Sequence, residues 1–162
     1  MNEDAERRVV RSTEVAAPPQ RVWALVSDLP GMSRFSPEST GGRWEGEPAG
    51  PVVGARFRGT NVQGRRRWST RSTVVEAEPG RAFAFEVTSM GLPVALWRYQ
   101  LEPTGSGCLL TESWTDRRGR LVTAVGALTT GVKDRRGYAG TSMELTLQRV
   151  KQEAEKSVGP VE

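Results

Sequence analysis

Apolar and polar positions alternate loosely through the β-branched stretch Arg8-Val9-Val10-Arg11-Ser12-Thr13-Glu14-Val15, which predicts an opening strand over 8–15. Ala16-Ala17-Pro18-Pro19 stops it. Val22, Leu25, Val26 and Leu29 then recur at helical spacing with Trp23 beside the stripe, a short amphipathic helix whose first turn tolerates proline. Asp28-Leu29-Pro30-Gly31 breaks it, and Met32 and Phe35 ahead of Pro37 predict one further helical turn. From about residue 40 to 116 the period becomes two. Turn signals at Gly41-Gly42, Glu47 to Pro51, Gln63-Gly64, Pro79-Gly80, Gly91 to Pro93 and Pro103 to Gly107 leave strands near 43–46, 55–62, 66–77, 82–89, 95–102 and 108–116. Such regular turns without helices between them predict an antiparallel meander. A helical pattern resumes from Leu121. Ala139, Met143, Leu147, Val150 and Ala154 line one face of a helix over 134–156, with Gly137 and Gly140 weakening its start. The fold class is therefore α+β: a curved antiparallel sheet of about seven strands around a long C-terminal helix, whose Ala139, Met143, Leu147 and Val150 face the concave side.

At 162 residues the chain fits one domain, 1–162, with a core over about 8–156 and frayed ends. The acidic, polar start and the short apolar runs predict neither a signal peptide nor stable membrane insertion, and a cytoplasmic location is the default. Cys108 stands alone, so no internal disulfide or multi-cysteine metal site forms. No histidine is present, which removes the usual metal ligand and argues against a zinc enzyme or a Ser-His-Asp hydrolase. No metal or other cofactor is expected. The net charge of +4 resides almost wholly in Arg, spread along the chain among 19 carboxylates. The clusters Arg65-Arg66-Arg67, Arg117-Arg118 with Arg120, and Arg135-Arg136 fall at turns or element ends and read as solvated rims, not a nucleic-acid surface.

The order of elements resembles the START-like (SRPBCC, helix-grip) superfamily. Ala17-Pro18-Pro19-Gln20-Arg21-Val22-Trp23-Ala24-Leu25-Val26-Ser27-Asp28 is similar to that family's first strand-to-helix junction, and Phe35-Ser36-Pro37 to the close of its second helix. Val53-Gly54-Ala55-Arg56-Phe57, Glu76-Ala77-Glu78-Pro79-Gly80-Arg81-Ala82-Phe83, Thr111-Glu112-Ser113-Trp114 and the stretch from Met143 to Lys151 match later landmarks in order. The resemblance covers roughly 8–156 and is strongest to the polyketide cyclase/dehydrase and lipid-transport group. It implies an internal cavity for a small, largely apolar molecule, and no particular reaction.

The phase of each strand proposes the lining. Phe57, Gly59 and Asn61; Trp68, Thr70 and Ser72; Phe83, Phe85 and Val87; Trp97, Tyr99 and Leu101; and Leu110, Glu112 and Trp114 are read as inward. The other phase carries Arg56, Arg58, Arg71, Glu86, Arg98 and Glu102, a solvated face. An alternative phase around Trp68 turns Arg67, Ser69 and Arg71 inward instead. Met143 and Leu147 complete the ligand-binding set from the helix. The expected cavity is roughly a few hundred Å³, touched by at least three of Trp68, Phe83, Phe85, Trp97 and Trp114.

Glu112 is the sharpest chemical candidate, because a lone inward carboxylate is costly unless paired or protonated. It is either a general acid/base or a structural partner of an inward Arg or of Tyr99. Tyr99 and Asn61 complete the candidate catalytic set, by moving a proton and by polarising a carbonyl, respectively. Asp116 is expected at the mouth facing solvent, Cys108 as a buried spectator, and Trp44 with Gly41-Gly42 and Gly46 as a loop closing the mouth. Three functions compete: a metal-independent polyketide cyclase, aromatase or dehydratase; a carrier of a hydrophobic metabolite; and, least favoured, an Arg-rimmed interaction module. Monomer and homodimer both stay open.

Overall fold

The computed structural model describes residues 7–119 and 134–156, together with Ala5 and Thr123. The expected frayed tails, the role of Arg120 and the helical pattern from Leu121 lie outside the described residues. Strand β1 (Arg8–Val15) leads into helix α1 (Pro19–Val26), where Pro18 caps in an extended conformation and Pro19 occupies the first turn. That proline lacks only an N–H that the first turn leaves unpaired anyway. A 3₁₀ helix over Pro30–Arg34 follows. Then come β2 (Ser39–Glu45), β3 (Arg56–Gln63), β4 (Arg66–Glu78), β5 (Ala82–Ser89), β6 (Leu92–Pro103), β7 (Cys108–Asp116) and the long helix α2 (Arg135–Lys156).

The seven strands form one sheet in the order β1-β7-β6-β5-β4-β3-β2, and every neighbouring pair is antiparallel. β1 joins across the far end onto β7, so α1 and the 3₁₀ helix span the opening between the two edges. Register shifts after Ser39, Val74 and Val87 bend the strands and wrap the sheet around α2. Helix α2 lies chiefly along β1, with lesser packing on β7 and α1. Its apolar stripe, Ala139, Met143, Leu147, Val150 and Ala154, is buried as the spacing requires. The opposite face of the sheet carries charge: Arg71 pairs with Glu45 and Arg98 with Glu76, each at 3.0 Å.

The strand expected near 43–46 begins earlier and includes Gly41 and Gly42, which therefore form no turn. Opposite Gly42 lies Gly59, and any side chain at Gly42 would collide with the Arg58 carbonyl and the Phe57 ring. Glycine is thus required for close strand approach. Trp44 correspondingly closes no mouth: it sits within β2, edge-on to Phe57 at 5.5 Å. β6 likewise starts before residue 95, because its hairpin with β5 turns tightly at Met90-Gly91 and leaves no loop there.

Gly107 marks another close approach, where β7 leaves its hairpin and passes the β1–α1 junction. A methyl there would strike the Val15 carbonyl and come within 2.8 Å of the Ala17 amide nitrogen. Both neighbours are backbone and cannot rotate away. Gly107→Ala is expected to destabilise the fold by about 2 kcal/mol or more in urea denaturation; an unchanged midpoint would contradict this tight seam.

Candidate functional site

A cavity of about 150 Å³ lies between the concave sheet, the first half of α2 and the segment after α1. Its walls follow from strand register. Phe85, Trp97 and Trp114 are direct cross-strand neighbours on β5, β6 and β7, forming one aromatic row. The next row is Phe83, Tyr99 and Glu112. On the other side, Phe57 faces Ser72, Gly59 faces Thr70 and Asn61 faces Trp68 across β3 and β4.

Among the sequence candidates, Phe57, Asn61, Trp68, Thr70, Ser72, Phe85, Trp97, Tyr99, Glu112 and Trp114 all line this cavity. The alternative phase around Trp68 is overturned, since Arg71 is on the charged outer face with Glu45. Asn61 Nδ2 donates to Thr70 Oγ1 at 3.3 Å. Five candidates do not line it: Phe83, Leu101, Leu110, Met143 and Leu147. Phe83 is fully buried between Trp23, whose ring stands edge-on at 6.2 Å, and Phe85. Leu147 packs with Leu101, Leu110 and Val150 in the same solid core. Met143 is consumed by Val9, Ala95, Trp114 and Ala139. Their phase is inward, yet Phe83 packs against Trp23 and Met143 against Trp114, while Leu101, Leu110 and Leu147 lie beyond the floor row of Tyr99 and Glu112, where helix and sheet pack together. The cavity is accordingly smaller than several hundred Å³, with Leu29 and Met32 also occupying part of the concavity.

The floor holds a buried polar pair. Tyr99 Oη donates to Glu112 Oε1 at 2.8 Å, with Glu112 only 1% exposed and Tyr99 3%. Glu112 Oε2, equally buried, has no hydrogen-bond partner among the described residues. Cross-strand from Glu112 on β1 is Arg11, but its guanidinium goes to Glu144 at 2.9 Å. Burial pushes the Glu112 carboxyl up to about 8, outweighing the opposing pull of the Tyr99 hydrogen bond. Burial, with the adjacent carboxyl, also pushes the Tyr99 phenol well above its ordinary range. Burial likewise raises the Cys108 thiol, leaving it unreactive against the core.

The end of the cavity where β7 finishes and α2 begins contains residues that pattern reading assigned to solvent. Arg135 Nη2 bonds Glu38 Oε1 at 2.7 Å, both side chains being mostly buried, and the guanidinium lies over the Trp68 and Tyr138 rings. Tyr138 Oη donates to Gln63 Oε1 at 3.0 Å. Arg118 grips Asp116 through two 2.9 Å bonds. Burial opposes ionisation of Asp116, but these bonds hold its carboxyl below its ordinary value. Asp116 therefore does not simply face water. Arg118 and Arg135 line the cavity, contrary to the rim reading, because each finds a carboxylate that accompanies it inward. Ser142 and Thr146, about two and three turns along α2, add small polar lining that the apolar stripe did not reveal.

Known proteins share this fold. The family model described as polyketide cyclase / dehydrase and lipid transport matches residues 6–155. A Polyketide_cyc-like protein of Corynebacterium glutamicum is 34% identical, with 95% of this chain and 97% of that chain covered and a TM-score of 0.62. The di-domain ARO/CYC StfQ of the steffimycin biosynthetic pathway superposes with a TM-score of 0.76 at 17% identity, over 98% of this chain and 54% of StfQ. The Aha1 dimer of Colwellia psychrerythraea has a TM-score of 0.64 at 12% identity, covering 94% and 98% of the two chains. The last two likenesses concern fold alone. No curated protein matches the chain.

Between the ordinary carboxyl value of 4.5 and about 8, folded Glu112 keeps a proton that the unfolded chain releases. Its contribution to stability therefore falls as pH rises through that window and is level above it. Glu112→Gln, which cannot ionise, should gain stability over wild type between about pH 5 and about pH 8, on the order of a few kcal/mol. Tyr99→Phe should cost about 1 to 3 kcal/mol and move the titration upward. Urea denaturation across pH checks both, and a pH-independent difference between wild type and Glu112→Gln would contradict a buried, titrating carboxyl.

Proposed function

The chain belongs to the polyketide cyclase/dehydrase and lipid transport family, and we propose that it binds a small, largely apolar molecule, polyketide-, lipid- or polycyclic-like, in the cavity above Tyr99 and Glu112. The observation that carries this reading is a helix-gripped cavity walled by Phe57, Phe85, Trp68, Trp97 and Trp114, which the described side chains leave unfilled. A space of about this size takes in a single aromatic ring, the leading end of such a molecule. Aromatic walls hold such a ring by apolar burial and by offset or edge-on contacts. The charged groups are placed at the two ends, and neutral hydroxyl and amide groups of Asn61, Thr70, Ser72, Ser142 and Thr146 lie between the aromatic walls, where they orient a ligand.

A second reading makes the protein a metal-independent cyclase, aromatase or dehydratase. Glu112, which lines the cavity and whose Oε2 has no hydrogen-bond partner among the described residues, favours it. A carboxyl whose proton is lost near about 8 is matched to moving protons close to neutrality. In this reading Glu112 exchanges a proton with the substrate, Tyr99 holds the carboxyl by its Oε1, and Asn61 polarises a carbonyl. The likeness to an ARO/CYC fold supports this class of chemistry without fixing the residues. Against the carrier reading, Glu112→Gln would then lower turnover by roughly a hundredfold while affinity stays level.

Hydrophobic probes should bind saturably and change the emission of the cavity tryptophans. Ser72→Leu, which extends an apolar side chain into the cavity, is expected to reduce probe affinity by at least about tenfold. Phe83→Leu should weaken folding but leave affinity nearly unchanged, because Phe83 packs against Trp23 and does not line the cavity. Probe binding unaffected by Ser72→Leu would place the ligand elsewhere.

A further inference from the structure

The Tyr99–Glu112 pair is directional. Tyr99 uses its single O–H on Glu112 Oε1, so Oε1 serves as the acceptor oxygen of the carboxyl. When the group is neutral, its proton sits on Oε2, the buried oxygen without a partner in a side chain that lines the cavity. We infer that Glu112 acts as a protonated acid whose Oε2–H donates to a carbonyl oxygen at the leading end of an uncharged, apolar ligand. This deepens the cavity reading and depends on it.

The surroundings favour the neutral acid, because the neighbouring cations among the described residues are already committed. On β1, Arg11 pairs with Glu144 of α2. After β7, Arg118 holds Asp116 with two bonds. From α2, Arg135 pairs with Glu38, and Tyr138 donates its hydroxyl to Gln63. From β6 comes only Tyr99, which donates to Glu112 and carries no charge. None of these supplies the unpaired positive charge that a carboxylate at this depth would require. A neutral acid needs none, and lacks only one acceptor for its proton. Ligand carbonyls supply an acceptor without supplying charge, whereas an ammonium ligand would demand the ionised form. The raised carboxyl value agrees with this geometry.

Acetophenone and ethylbenzene test the inference, being matched in shape and differing in whether a carbonyl is present. Their affinities are measured by calorimetry at about pH 6 and about pH 9.5, either side of the carboxyl titration. Acetophenone affinity is expected to fall about tenfold further than that of ethylbenzene between the two. Glu112→Gln places an amide N–H where Oε2–H stood, and should keep the ketone preference seen at low pH while losing its pH dependence. Glu112→Met should lose that preference by about fivefold, with thermal melts confirming that both variants fold. Equal pH response of the two probes, a ketone preference that grows with pH, or loss of the preference in folded Glu112→Gln would each overturn the inference while leaving the cavity reading intact. Failure of both probes to bind at either pH would overturn the cavity reading and this inference together.

Discussion

One helix has to cover the concave face of a seven-stranded sheet, and it is too narrow to do so. Helix α2 settles over β1 and β7, where Val9, Ala139 and Met143 pack together, and toward its C-terminal half it meets the core of Val22, Leu101, Leu110, Leu147 and Val150. The span above β3 to β6 is left for the segment after α1 and for large aromatic side chains. Trp and Phe on a half-covered sheet therefore wall a space instead of filling it. The position of the site is set by this mismatch in width between one helix and a curved sheet.

Where the helix does meet the sheet, the interior closes at the row containing Tyr99 and Glu112. That boundary is a costly place for a carboxyl, since it has an apolar core below and a small cavity above. A single hydrogen bond from Tyr99 satisfies half of the group. The other half is left to whatever enters the cavity. At the opposite end, paired charges do what single charges could not: Arg135 with Glu38, and Arg118 with Asp116, enter a mostly buried setting as neutral couples. The cavity thereby has aromatic walls interrupted by small neutral polar groups, with its charged groups paired at the end where β7 finishes.

Strand phase was legible because a two-residue period admits one alternative, and the charges of Arg56, Arg58, Glu86 and Glu102 select between them. The inward placement of Glu112 and Tyr99 followed from that alone. Phase has no information along the strand axis, however. Phe83 is as inward as Phe85, yet it packs against Trp23 of α1 while Phe85 lines the cavity. Arg118 and Arg135 were misread for a different reason. Arginine doublets at element ends have the signature of solvated rims, and the partner that draws Arg135 inward, Glu38, lies 97 positions away. Gly41-Gly42 has the same composition as a turn, while its cause is the Phe57 ring and Arg58 carbonyl on the next strand.

The account turns on Glu112 standing neutral at the floor of a ligand cavity. The most direct measurement is the carboxyl-carbon NMR signal of Glu112 followed against pH in isotope-labelled protein, with and without saturating acetophenone. The account predicts a protonated carboxyl at neutral pH, a midpoint near about 8 in the free protein, and a midpoint moved higher by the ketone, because the ligand stabilises the protonated form. A signal that titrates in the ordinary carboxylate range, or one that the ketone leaves unmoved, would contradict it.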